Sequence, residues 1–267
     1  MDYLDILENK SIYIIREAYY RFKDIAMLWS VGKDSTTLLW LIRKAFFGKI
    51  PFPVIHIDTS YKFPEMYDFR DKLAARWGFN LVISKNREKL SSGMGPDKGL
   101  KFECCNELKT NALKMTIQER NLKAIFVGIR RDEHGIRAKE RYFSARDDQF
   151  KWNYETQSAE VWDQYKSISQ EDEHFRIHPL LHFNEVDIWR YIKREAIPVV
   201  DLYFSKEGHR FRSLGCVPCC QKIESPAANI DEVIEEVLIS KHSERAGRAQ
   251  DKEDMYTMQK LRLLGYL

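Results

Sequence analysis

The feature that most restricts this fold is a series of short runs that are apolar at every position, each followed by a stretch of helical periodicity. The first run is Ile25-Ala26-Met27-Leu28-Trp29, which stops at Ser30-Val31-Gly32. A run without alternation reads as a strand buried on both faces, the habit of parallel sheets. Residues 35–47 then place Thr36, Leu38, Leu39, Leu41, Ile42, Ala45 and Phe46 at helical spacing, and Gly48 and Pro51 end the pattern. The alternation repeats, with strands at 53–58, 80–83 and 124–128 and helices at 64–77 and 106–120, after a leading helix at 4–22. Strand and helix taking turns predict an α/β fold, doubly wound, with a mostly parallel sheet and helices on both faces.

After Gly128 the periodicity dissolves into a long polar stretch reaching about residue 174, a length typical of functional or mobile loops. A strand at 176–180 and a helix at 184–195 follow. Residues 1–197 therefore read as the principal α/β domain. Residues 198–267 read as an irregular and helical C-terminal extension, with helices at 230–240 and 254–263, too small to hold its own core. The 44% apolar content excludes wholesale disorder. Forty-three Lys and Arg against forty Asp and Glu exclude a histone-like polycation but allow a local basic site. No run reaches the 18 apolar residues of a membrane span. The N-terminus, MDYLDILENK, carries acids where a signal peptide carries basic residues. The expectation is a soluble, cytoplasmic chain with reduced cysteines and no membrane partner.

The turn Ser30-Val31-Gly32-Lys33-Asp34-Ser35 joins the first strand to the first long helix. In open parallel sheets ligands bind at the carboxyl ends of strands. Free N–H groups at a helix start, together with Lys33, suit a polyphosphate. The spacing excludes a Walker A loop, since Asp34 follows Gly32-Lys33, and no G-x-G-x-x-G occurs here. Arg130, Arg131, Arg137, Lys139, Arg141 and Arg146 form a basic stretch that starts at the end of a central strand. A charge run is commonly a solvated face. Beside the glycine turn, however, the planar guanidinium groups of Arg130 and Arg131 suit phosphate or sulfate oxygens.

All five cysteines fall in two clumps, Cys104-Cys105 and Cys216-Val217-Pro218-Cys219-Cys220. Thiols in this arrangement read as an iron–sulfur ligand set, a zinc site, or small hydrophobes packed in a core. Cys220 is left over, as a sulfur carrier or as packing. The segment with His174, His178 and His182 contains Pro179 and apolar Ile177, Leu180 and Leu181, so it reads as strand or turn and not as a metal site.

The turn resembles the pyrophosphate-binding S-G-G-x-D-S motif of the ATP pyrophosphatases, the adenine nucleotide alpha-hydrolase (PP-loop) superfamily, with Val31 departing from the usual Gly. The S-x-G-K-D-S form is similar to the branch holding phosphoadenosine phosphosulfate reductases and sulfate adenylyltransferase small subunits. The stretches 51–59, 128–133, 137–141, 211–216 and 243–248 match that branch in order. The resemblance implies ATP and Mg²⁺, with cleavage between the alpha and beta phosphates. It implies Ser30, Val31, Gly32, Lys33, Asp34 and Ser35 around the pyrophosphate, with Asp34 also as a Mg²⁺ ligand. Asp58, Thr59 and Gly128 fall near the nucleotide, Arg245 and Arg248 are further binding residues, and Lys33, Asp34, Arg130 and Arg131 act in catalysis. The cysteine pattern resembles that of adenylylsulfate reductases with a [4Fe–4S] cluster, on Cys104, Cys105, Cys216 and Cys219. No Cys follows Cys220, which sets aside a reductase.

The expectation drawn from the cysteines is an ATP pyrophosphatase that adenylates an oxyanion for sulfur incorporation. By resemblance to DNA phosphorothioation systems the oxyanion is a DNA backbone phosphate, with a cysteine desulfurase and DNA as partners. The alternative is a sulfate adenylyltransferase small subunit with a GTPase large subunit. A third reading is a non-catalytic nucleotide-binding partner, disfavoured by intact Lys33 and Asp34.

Overall fold

The computed structural model of the chain describes residues 1–98, 101–155, 157–165, 174–240, 244 and 257–265. Its centre is a sheet of β1 (Ile25–Leu28), β2 (Val54–Ile57), β3 (Leu81–Ser84), β4 (Ala124–Val127), β5 (Phe143–Arg146) and β6 (His174–Ile177). The strand order is β3-β2-β1-β4-β6-β5. Every pairing is parallel except that of β5 with β6. The mostly parallel α/β fold expected from the apolar runs is the fold observed. Every residue of β1, β2, β4 and β6 is buried, whereas β3, at the edge, is half exposed.

The principal helices are α1 (Tyr3–Arg21), α2 (Lys33–Ala45), α3 (Pro64–Trp77), α4 (Arg87–Ser91), α5 (Lys101–Cys105), α6 (Ala112–Glu119), α7 (Glu185–Glu195), α8 (Ile230–Ile239) and α9 (Thr257–Leu263). Local chemistry sets their ends. Asp2 and Asp5 form a capping box at the start of α1, and Asn184 with Asp187 does the same for α7. Pro64 opens α3, and Gly78 closes it at φ 66°, a left-handed value glycine adopts without strain.

Several features differ from the sequence expectation: the strand expected at 176–180 lies at His174–Ile177, and α4 stands where no helix is expected. The long polar stretch contains β5, whose inward Ser144 and Arg146 bind the buried carboxylate of Glu140 instead of apolar neighbours. A small hairpin, β7 (His209–Arg210) with β8 (Ile223–Glu224), lies in the tail. The helix expected at 106–120 begins earlier and is interrupted by a wide π turn, Asn106–Asn111, between α5 and α6. From the tail, Val200, Tyr203, Phe211, Leu214, Val233 and Val237 join the same core as the sheet. Each fully buried side chain of this size contributes roughly 1.5–3 kcal/mol. Among the described residues no helix is long and apolar enough to cross a membrane.

The strand order reverses between β1 and β4. With right-handed crossovers the chain leaves these two neighbours in opposite directions, which opens a crevice at their carboxyl ends. The turn 30–35 follows β1, and Gly128 follows β4.

Candidate active site

The turn after β1 is fixed by several independent contacts. Gly32 caps α2 in an extended conformation and offers no side-chain hydrogen bond to the helix. The Lys33 N–H instead donates to the Tyr203 hydroxyl at 2.9 Å. The Ser30 and Ser35 hydroxyls lie 3.0 Å apart, and Trp29 Nε1 donates to Thr36 Oγ1 at 3.1 Å. Val31 sits at φ 67°. That is the left-handed region, costly for a β-branched residue and natural for glycine, which gives a physical reason for Gly at this position of the motif. Gly128 lets β4 pass close behind the turn: a Cβ there would lie 3.0 Å from the Ser35 Cα and 3.2 Å from the Asp34 carbonyl oxygen.

Ser30, Gly32, Asp34, Ser35 and Gly128 line a cavity of ≈ 150 Å³ at this crevice. Lys62, Lys109 and Arg137 reach it from outside the turn, and Ser213 and Gly215 come from the tail. Lys109 belongs to the π turn, a distortion frequent at functional sites.

Beneath the cavity lies an ion-pair network. Lys33 Nζ is 3.0 Å from Asp34 Oδ2 and also binds Glu244 Oε1. Arg130 donates to Asp132 Oδ1 at 2.9 Å and to Glu244 Oε2 at 2.6 Å, and it pairs with Asp34. Lys33 and Arg130 are almost wholly buried. Burial works against the Arg130 charge, but Glu244, Asp132 and Glu133 more than offset it and raise its pKa. Burial likewise pushes the Glu244 carboxyl up, and Lys33 with Arg130 reverse this and hold it below the ordinary carboxylate range.

The structure brings Ser30, Gly32, Lys33, Asp34, Ser35, Gly128 and Arg130 together. Arg131 is turned elsewhere, its guanidinium 5.0 Å from the Tyr142 ring centre. Asp58 does not line the cavity. It pairs with Lys85 at 2.8 Å and accepts from Tyr67 at 2.7 Å and from the Ser60 N–H at 2.8 Å. Burial raises its carboxyl, but Lys85, Ser60 and Tyr67 together hold it below its usual value. Thr59 contacts Cys216, with Oγ1 3.1 Å from Sγ. Arg245 and Arg248 lie outside the described residues. The sequence reading missed Tyr203, Lys62, Lys109 and Glu244. Glu244 stands inside the matched stretch 243–248, of which the resemblance puts forward only Arg245 and Arg248, as binding residues.

Cys104, Cys105, Cys216 and Cys219 are all buried. Burial, followed by the neighbouring thiols Cys105 and Cys216, pushes Cys104 up to about 12. Burial also raises Cys219, again with Cys216 and Cys105 adding to it. The two clumps thus share one electrostatic neighbourhood, and four thiols are the right donor chemistry for a soft metal or a cluster. Their arrangement is not that of ligands: among the described residues no three His, Cys, Asp or Glu side chains are set to hold a metal ion. The four cysteines fit the expected [4Fe–4S] cluster in kind and not in geometry. Asp34 presents a hard carboxylate oxygen to the cavity, which suits Mg²⁺.

Residues 24–222, which hold the switch-point crevice and its turn, match the phosphoadenosine phosphosulfate reductase domain. The chain belongs to that family. Its similarity is closer still to two curated relatives. It is 40% identical to a sulfate adenylyltransferase subunit 2 of Shewanella amazonensis, over 100% of this chain and 98% of the relative. It is 39% identical to the same subunit of Pseudoalteromonas translucida, over 100% and 99%. Among solved structures, a phosphoadenylyl-sulfate reductase from Candida auris shares the fold at TM-score 0.56 and 18% identity, covering 83% of this chain and 98% of that one. These full-length likenesses overturn the expectation of a DNA phosphorothioation enzyme adenylating a backbone phosphate. That reading leaned on the cysteines, and the remainder of the chain follows the sulfate-activating subunit. The desulfurase and DNA partners have no support and fall with it.

Proposed function

We propose that the chain is an enzyme acting on ATP as the small, catalytic subunit of a sulfate adenylyltransferase, converting ATP and sulfate to adenylyl sulfate and pyrophosphate. The observation that carries the reading is the conjunction of the buried Lys33–Arg130 pair with the turn 30–35 at the sheet's switch point. The full-length likeness to sulfate adenylyltransferase subunit 2 supports sulfate as the acceptor. A sulfate oxygen attacks the alpha phosphorus, an S–O–P link forms, and pyrophosphate leaves with the electron pair of the broken bond. Ser30, Gly32, Lys33 and Ser35 hold the pyrophosphate portion, and Lys33 and Arg130 offset the negative charge that develops on it. Asp34 would hold Mg²⁺, which when bound supplies further charge neutralisation there. Asp58, Thr59 and Gly128 belong to the nucleotide side of the crevice in this proposal, and Arg131 joins it only by turning from Tyr142.

A GTPase large subunit is the proposed partner, and residues 198–267 are proposed as an extension of the α/β domain. A [4Fe–4S] cluster has no part in this proposal, because Cys104, Cys105, Cys216 and Cys219 are not arranged as its ligands among the described residues. Anaerobic purification with iron and sulfide analysis tests this, and stoichiometric bound iron and sulfide would overturn it. The function itself is tested by supplying ATP, Mg²⁺ and sulfate with the GTPase partner and identifying the products. Adenylyl sulfate and pyrophosphate in equal amounts are expected. Pyrophosphate release indifferent to sulfate would refute the reading.

A further inference from the structure

Glu244 occupies an unusual position. Its two carboxylate oxygens are shared between Lys33 Nζ and Arg130 Nη2, the two cations beneath the turn. Its side chain is only 4% exposed. A carboxylate and one edge of a phosphate or sulfate group are alike, two oxygens sharing a negative charge, and each takes charge-assisted hydrogen bonds from such donors. The cavity above is also small, ≈ 150 Å³ against the roughly 300–1,000 Å³ usual for small-molecule sites.

Lys33 and Arg130 already face Asp34, Asp132 and Glu244. A polyphosphate oxygen entering this inner network with all three carboxylates in place would meet three acids against two cations, although Lys62, Lys109 and Arg137 line the cavity around it. Asp34 is fixed in the turn and Asp132 follows Arg130 closely in the chain. Glu244 is the member contributed from far along the chain. It also borders a second cavity, lined by Arg130, Arg190 and Arg212 together with Asp132, Glu185 and Asp187, in which Arg212 is held by Glu185 at 2.7 Å. The charge of Glu244 is felt at Arg212. The second cavity therefore offers space beside Arg130 for a carboxylate that leaves the first site.

We propose that Glu244 is a built-in competitor for the substrate oxyanion: its carboxylate fills the Lys33–Arg130 anion site in the empty enzyme and must withdraw before the site takes phosphate or sulfate oxygens. This rests on the adenylyltransferase reading of the crevice. Its physical content is that nucleotide affinity is set partly by the work of displacing a native side chain. Removing the charge leaves two buried cations short of a partner, and they then bind an added anion more tightly.

The test is calorimetric titration of the full chain and its Glu244→Gln variant with inorganic pyrophosphate, and separately with inorganic sulfate, in the absence of ATP. The amide keeps the size of the side chain and removes its charge. At least about tenfold tighter pyrophosphate binding is expected for the variant. Tightening for sulfate alone would also support the competitor and would assign the site to the acceptor rather than the leaving group. Equal or weaker binding by the variant, with the parent binding normally, would overturn the proposal and make Glu244 a support of the site. If neither protein bound pyrophosphate or sulfate, nor ATP in a parallel titration, the adenylyltransferase reading would fail and the inference with it. Should E244Q not fold, E244D keeps the charge but is one methylene too short to bridge both cations. It is expected to tighten pyrophosphate binding about threefold, and unchanged or weaker binding by E244D refutes the competitor equally.

Discussion

Replacing Gly128 by Ala is a sharp probe of how the turn is held, because the residue carries no charge and donates no side-chain hydrogen bond. The added Cβ would lie 3.0 Å from the Ser35 Cα, 3.1 Å from its nitrogen and 3.2 Å from the Asp34 carbonyl oxygen, where ordinary contact begins at 3.4 Å. All three neighbours are backbone atoms, so no flexible side chain can absorb the clash. The start of α2 must retreat by about 0.4 Å, and overpacking of this kind costs about 1–3 kcal/mol. For a chain of this size the melting temperature should fall by about 2–12 °C. Displacing the turn also displaces Ser35 and Asp34 from any phosphate they hold, and ATP affinity should fall about tenfold. Scanning fluorimetry gives the first quantity and calorimetric ATP titration the second. Gly135→Ala is the control, since nothing lies within 4 Å of its Cβ, and it should stay within about 1 kcal/mol of the parent. A Gly128→Ala protein that melts and binds ATP as the parent does would refute the close-approach reasoning.

Tyr203→Phe removes the acceptor of the Lys33 N–H, and leaving that donor unsatisfied should cost about 1–3 kcal/mol in urea unfolding; an unchanged midpoint would show that the hydroxyl is replaceable. Burial lowers His56 and His178 to about 3 and His182 to about 4, so these rings stay neutral in the fold while the unfolded chain protonates them below its ordinary value of 6.5. Their contribution is complete above pH 6.5 and is lost as pH falls toward the folded values. At pH 5.5 each should cost about 1.4 kcal/mol, up to about 4 in total. A stability flat from pH 7.5 to 5.5 would contradict this. Cys104, Cys105, Cys216 and Cys219 are buried and Cys220 is half-buried, so iodoacetamide at pH 8 should label Cys220 at least about tenfold faster than the rest. Equal labelling of all five in the native protein would count against the packed thiol cluster.

The sheet could be read from the chain because burial on both faces demands apolar residues at every position, as Ile25 to Leu28 and Ala124 to Val127 show. Gly78 and Pro64 marked the ends of α3 for equally local reasons. β5 escaped notice because its inward side chains, Ser144 and Arg146, satisfy a buried carboxylate, and a polar network carries no hydrophobic period. The π turn escaped because residues 106–111 are helical in composition, and the extra residue per turn leaves no compositional trace. In the site, the turn 30–35 announced itself through its own residues. Tyr203 and Glu244 did not, since each reaches Lys33 from about 170 residues or more along the chain. The cysteine pattern misled the choice of acceptor. Thiol spacing reports what sulfur ligation a chain is capable of, and says nothing about which oxyanion enters the neighbouring crevice.

The decisive experiment is the rate of sulfate-dependent pyrophosphate release by Lys33→Ala beside the parent, both supplied with the same GTPase partner. Lys33 supplies one of the two buried cations under the turn. Loss of one such stabiliser of developing charge costs about 2.7–4 kcal/mol, so a fall in kcat of about 100- to 1,000-fold is expected. A folded Lys33→Ala protein releasing pyrophosphate within about threefold of the parental rate would mean that the turn after β1 does not hold the departing phosphates.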